Sequence, residues 1–148
     1  HLGSMARQSG RHMPRGILFV CRRNSARGQM AEAFARVIFP SGVNVDSAGV
    51  EPAATLNPYA VSVMQEIGIE IPAQRPKRMR EVPLGDMDTV ITLCAEEECE
   101  VPPGLVKHHW PLSDPAATHG STDDIQAAFR RTRDEIRERV EALLESSR

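Results

Sequence analysis

The sequence predicts an α/β fold in three layers, a central four-stranded parallel sheet with helices on both faces. Three observations predict it. Segments that read as strands occur four times, at Ile17 to Val20, Val43 to Asp46, Met87 to Leu93 and Lys107 to Leu112. Segments with apolar residues at three- and four-residue steps alternate with them, a pattern that gives parallel strands joined by right-handed crossovers. The first run is continuous rather than alternating, which fits a central strand covered on both faces. A chain of 148 residues is the length of one domain and can form a compact core without disulfide support. That domain is expected over residues 14–148. Residues 1–13 read as a tag remnant and disordered leader, opening His1-Leu2-Gly3-Ser4, with a native start at Met5 or Met13.

Met30, Phe34, Val37 and Ile38 fall at helical steps behind the first strand, and Pro40-Ser41-Gly42 ends the pattern. Val43 to Asp46 should close on a turn at Ser47-Ala48-Gly49. Asn57 caps a second helix, with Pro58 at its first position, Val61, Met64 and Ile67 on one side, and Gly68 as its stop. Between Ile71 and Pro83, prolines and the residues Gln74, Arg75, Lys77, Arg78 and Arg80 indicate a surface connection holding one turn of helix. Ala95 to Gly104 is acidic and then proline-rich, a loop rather than a buried element. Ser121 or Thr122 caps a long final helix striped by Ile125, Phe129, Ile136, Val140 and Leu143, with Glu135 and Arg139 paired across one turn.

A net charge of -2 argues against a nucleic-acid partner, whose footprint is a basic face. No apolar run approaches the ~20 residues of a membrane span and no signal-peptide core precedes the first strand, so a soluble cytoplasmic protein is expected, and a monomer is the expected state. Three cysteines are too few and of the wrong parity for a secreted disulfide scaffold. His108, His109 and His119 do not form a metal set, and no metal is expected.

The chemistry concentrates at Cys21-Arg22-Arg23-Asn24-Ser25-Ala26-Arg27-Gly28, between the first strand and the first helix. A strand leading through a short loop into a helix N-terminus aims backbone N–H groups and the helix dipole at one point, where an oxyanion docks. Cys21 would face that anion, and the amides with Arg27 should lower its pKa towards the nucleophilic thiolate. Arg27 offers a planar fork for two oxygens of a tetrahedral anion. Asn24 should hold the loop open, Ser25 present a hydroxyl and an amide, and Arg22 and Arg23 steer the anion electrostatically. Cys21, Ser47, Cys94 and Asp114 each follow a predicted strand, so they converge on the carboxyl edge of the sheet, where such folds place their sites.

Cys21, Asn24 and Arg27, with Ser47-Ala48-Gly49, resemble the anion loop of the low-molecular-weight protein tyrosine phosphatases and of the arsenate reductases that share their fold. Gln29-Met30-Ala31-Glu32-Ala33 is similar to the reductase branch, since the phosphatases usually have proline at Gln29. Thr92-Leu93-Cys94, Cys99, Pro102-Pro103, Trp110 and Asp114-Pro115 resemble the same branch, and the likeness runs from Gly16 to Leu144. Two positions depart from the pattern. Gly28 replaces a serine or threonine that donates to the nucleophile, and Ala26 replaces a second loop cysteine.

The resemblance implies a reductase that takes arsenate, mimicked by phosphate or sulfate. Cys21 would form a covalent arsenic adduct and Asp114 would be the general acid. Cys94 would attack the adduct, and Cys99 would complete a Cys94–Cys99 disulfide reduced by thioredoxin or another external thiol. No bound cofactor is implied. Glu32 and Ser47 match positions that help hold a potassium ion in some reductases, and Lys77 is a candidate to replace that ion; Gln29 joins them as a supporting residue. Glu96, Glu97, Glu98 and Glu100 would keep the later thiols protonated. A phosphomonoesterase using Cys21, Arg27 and Asp114, and a non-catalytic oxyanion-binding module, are the alternatives. Ala116 and Ala117 after Asp114-Pro115, where the phosphatases commonly follow with tyrosine, favour a small inorganic oxyanion.

Overall fold

All four predicted strand segments form strands, and the computed structural model, which describes residues 12–94 and 100–148, orders them as one parallel sheet. The elements are β1 (Gly16–Cys21), α1 (Arg27–Ile38), β2 (Asn44–Gly49), α2 (Pro58–Gln65), β3 (Thr89–Cys94), β4 (Val106–Leu112) and α3 (Thr122–Ser147). The spatial order is β2-β1-β3-β4. Every residue of β1 and β3 is buried, so both faces of the sheet centre are covered, as a three-layer α/β arrangement requires. α3 packs along α1 and against α2. The core runs through Phe19, Phe34, Ile91, Phe129 and Ile136, all at most 2% exposed. Among the described residues no helix is long and apolar enough to cross a membrane.

The chain leaves β1 towards β2 and then returns across it to β3. The loop after β1 therefore stands at a topological switch point, where the carboxyl ends of strands diverge and leave a crevice. Cys21 ends β1, Cys94 ends its neighbour β3, and Asp114 follows β4. The fold brings these three residues to one edge without any direct contact in sequence.

Several local expectations change. Ser47, Ala48 and Gly49 do not form a turn but continue β2 in register with Phe19, Val20 and Cys21. Gly49 is needed there because a Cβ would lie 2.9 Å from Arg22 O and 2.9 Å from Asn24 Cβ, where the loop crosses the strand. Val37 is 67% exposed, and Ala31 and Ala35 take the inner face of α1 beside Met30 and Phe34. In α3 the buried leucine near the C-terminus is Leu144, with Leu143 only partly covered. The 71–83 connection has one 3₁₀ turn (Met79–Glu81), with a second at Leu84–Asp86, and Arg78 bridges to Gly49. Met13, assigned to the leader from sequence, packs against the core. Other details agree: the Asn57 side chain accepts from Tyr59 N, Ser121 and Asp124 form a capping box, and Glu135 pairs with Arg139.

Candidate active site

The loop after β1 is held through its carbonyls. Cys21 O, Arg22 O, Arg23 O and Ser25 O accept backbone N–H bonds from Val50, Glu51, Ala53 and Asn57, and Asn24 O accepts from Gln29 Nε2. With the carbonyls engaged on that side, the amide edge is left for the other. α1 then begins at Arg27 with Ala26 as its N-cap residue, no side-chain cap and no acid in the first turn. No side chain caps its first amides, and one of them, Gly28 N–H, points to Cys21 Sγ.

What they border is a cavity of about 150 Å³ lined by Cys21, Arg23, Asn24, Ser25, Ala26, Arg27, Asp114 and Ala116. It suits a small tetrahedral anion. Cys21 lies at its base, 2% exposed, and its Sγ accepts the Asn24 N–H at 3.3 Å and the Gly28 N–H. The sequence leads one to expect a lowered thiol pKa, but the structure reverses the direction. Burial pushes the Cys21 thiol above the ordinary range; the Arg27 charge and the two amides oppose that rise, and the Asp114 carboxylate adds to it.

Arg27 is 3% exposed, and its Nη1 donates to Leu112 O at 2.8 Å and to Leu93 O at 3.5 Å. The guanidinium is thereby fixed against the ends of β3 and β4, next to Cys94 and close to Asp114. Asp114 Oδ2 lies 3.9 Å from Arg27 Nη2, while Oδ1 accepts from Ala116 N and caps the short turn Pro115–Ala117. The carboxyl is about one-third exposed and lines the cavity. Arg23 also lines the cavity, whereas Arg22 does not; both reach Glu51 at the surface.

Cys94 is 1% exposed and disulfide-bonded, in contrast to the free thiol of Cys21. Cys99, with Glu96, Glu97 and Glu98, lies outside the described residues.

A second layer of residues braces the loop. Asn24 adopts a left-handed backbone (φ 52) that asparagine tolerates well. Its Oδ1 accepts from Lys77 N and from Gln29 Nε2, and Gln74 Nε2 donates to Gln29 Oε1 and to Gln29 O. Gln29 Nε2 also reaches Arg75 O. Gln74, Arg75 and Lys77 thus clamp the anion loop from a segment that sequence reasoning treated as a plain surface connection; its run of amide and basic residues was the available signal. Glu32, 3% exposed, accepts Ser47 Oγ at 2.6 Å and Arg36 Nε at 3.0 Å. Lys77 Nζ lies 3.5 Å from Glu32 Oε1 and 3.0 Å from Asp46 Oδ1. The ammonium therefore supplies the positive charge between these carboxylates, and the residues do not fit an added potassium ion. No group of three or more potential metal ligands occurs among the described residues.

A family model described as low molecular weight phosphotyrosine protein phosphatase matches residues 16–148. An arsenate reductase of Bacillus licheniformis is 42% identical over 133 residues, covering 88% of this chain and 95% of the relative. Among solved structures, an arsenate reductase in a phosphate-binding state superposes with a TM-score of 0.77 at 33% identity, over 90% of this chain and 99% of the other. A thioredoxin-dependent arsenate reductase of Corynebacterium glutamicum superposes with a TM-score of 0.66 at 27% identity, over 98% of this chain and 70% of the other.

Proposed function

Since the chain belongs to the low-molecular-weight phosphotyrosine protein phosphatase family over residues 16–148, we propose that it works in the reductase branch, converting arsenate to arsenite with electrons from an external dithiol such as thioredoxin. One observation carries the choice of branch: Cys94, a cysteine that a phosphatase does not need, ends the strand beside the one that ends in Cys21 and is disulfide-bonded. The arsenate reductases among the similar proteins support the same reading.

In this mechanism arsenate enters the amide-lined cavity and Arg27 binds two of its oxygens. The Cys21 thiolate attacks arsenic, forming an S–As bond, while Asp114 gives a proton to the departing oxygen, which leaves as water. The Cys94 thiolate then attacks Cys21 Sγ. A Cys21–Cys94 disulfide forms, the S–As electron pair stays on arsenic, and arsenic leaves as arsenite, reduced by two electrons. Cys99 attacks Cys94 Sγ, releases the Cys21 thiolate and leaves a Cys94–Cys99 disulfide for the external dithiol to reduce. Arg23 and Arg22 draw the anion in from solvent. No bound cofactor takes part.

The experiment is arsenate-dependent NADPH oxidation coupled through thioredoxin and its reductase, run with the wild type and with Cys21→Ser, Cys94→Ser and Cys99→Ser. Each substitution should abolish multiple turnover. Full activity without Cys94 would eliminate the relay, and rapid aryl-phosphate hydrolysis without arsenate reduction would move the chain to the phosphatase branch.

A further inference from the structure

Among the described residues, Asn24 Nδ2 is the one buried side-chain polar atom without a hydrogen-bond partner. Asn24 is fully buried, and its Oδ1 accepts from two donors, Lys77 N at 2.9 Å and Gln29 Nε2 at 3.1 Å. Those donors fix which end of the amide points where, because an exchanged amide would set N–H against N–H. Nδ2 is thereby turned towards Gly28. A Cβ built on Gly28 would lie 2.9 Å from Asn24 Nδ2 and 3.0 Å from Cys21 Sγ. The amide nitrogen and the sulfur thus border the same point, the one a side chain at position 28 would occupy.

A neutral thiol is a weak acceptor, whereas a thiolate is charged and accepts strongly. Sγ already faces the amides of Asn24 and Gly28. We infer that Asn24 is a positioning residue for the nucleophile, its Nδ2–H turning onto Cys21 Sγ when the thiol proton passes to solvent. Gly28 belongs to this arrangement, since a methyl at that point would come too close to one partner or the other. Asn24 then has two functions on opposite ends of one amide. Oδ1 is fixed by the 74–77 clamp, and Nδ2 is held ready for a charge that exists only when Cys21 ionises.

The inference rests on Cys21 being the nucleophile of the proposed reaction, but its test uses neither arsenate nor a reductant, so a failure of the reductase reading would not be mistaken for a failure here. In full-length C94S/C99S protein Cys21 is the only thiol, and thiolate absorbance at about 240 nm gives its ionisation midpoint. The Asn24 side-chain amide protons, followed by NMR in the same samples, should move downfield with that midpoint. Asn24→Asp keeps the Oδ1 acceptor, removes the donor and adds a negative charge that by itself disfavours the thiolate; in this background it should raise the midpoint by at least about one pH unit, roughly tenfold less thiolate at neutral pH, and the Asn24 amide shift in the parent separates the donor's part from that of the charge. Amide resonances that stay still while Cys21 ionises, or an Asn24→Asp midpoint equal to that of the parent, would overturn the inference. The NMR titration remains decisive should the substitution disturb the loop.

Discussion

Cys21 places two demands on one atom, since a buried sulfur packs well as a thiol and reacts as a thiolate. With its folded pKa raised above the free-thiol value of about 8.5, the folded state holds the proton longer than the unfolded chain does. The stability this contributes is present below pH ~8.5 and is lost as pH rises through the folded pKa. In urea titrations from pH 7 to 10, the wild type should lose stability relative to Cys21→Ser above pH ~8.5, by at most ~1.4 kcal/mol per pH unit. A constant difference across that range would refute the raised pKa. Asp114 invites a separate prediction. Asparagine at 114 preserves the acceptor for Ala116 N and removes the acid near Arg27. Asp114→Asn should lower kcat by about 10²–10⁴-fold while phosphate binding holds or tightens. The meeting of Cys21, Arg27 and Asp114 at one cavity was legible in the sequence because each lies at or shortly after a strand end. The direction of the Cys21 shift was not, because neighbouring residue types reveal the arginines but not how completely the fold closes over the sulfur.

Elements with regular periodicity were read well and the irregular connection was not. The four strands and the caps at Asn57 and Ser121 announce themselves through local patterns. The 71–83 connection has no period, yet through Gln74, Arg75 and Lys77 it fixes Asn24 and Gln29 of the anion loop. Such contacts join residues more than forty positions apart, and nothing local encodes them. Arg133 is another case: it interrupts the apolar stripe of α3, is 9% exposed, and donates to Val63 O and Glu66 Oε1, tying α3 to α2. The clamp predicts a stability effect. Replacing Lys77 by Met removes the ammonium from Glu32 and Asp46 and leaves the buried Glu32 carboxylate with Arg36 and Ser47. Breaking a buried pair of this kind costs about 3–5 kcal/mol, and the partial exposure of Lys77 and Asp46 puts the expected loss at or below the lower end. Because the wild type carries its own cation there, its turnover should be the same in potassium and sodium salts of equal ionic strength. A several-fold potassium stimulation of the wild type would contradict that placement. At the end of α3, Ser121→Ala should cost about 1 kcal/mol in chemical denaturation, the usual value of a lost N-cap.

At the scale of the whole molecule, the parallel order β2-β1-β3-β4 accounts for why a loop cysteine, a strand-end cysteine and an aspartate far along the chain share one edge. Arg27 then joins the parts, because one guanidinium reaches the cavity, the carbonyl before Cys94 and the carbonyl of Leu112 at the end of β4. In the proposed reaction, anion binding and the packing of the sheet edge would depend on the same side chain. Arg27→Lys should lose on both counts, since a lysine offers a point charge in place of the planar fork. Without ligand, leaving a buried carbonyl unpaired should cost about 1–3 kcal/mol. With phosphate at a hundred times its Kd, the wild type should gain about 2.7 kcal/mol, a rise in Tm of roughly 5–11 °C for a chain of this size. The variant should show most of that rise gone at the same phosphate concentration. The measurement is a thermal melt over a phosphate series at fixed ionic strength for both proteins. A variant that melts like the wild type without phosphate and rises equally with it would mean that the cavity and the strand ends are held by other groups, and that Arg27 does not couple them.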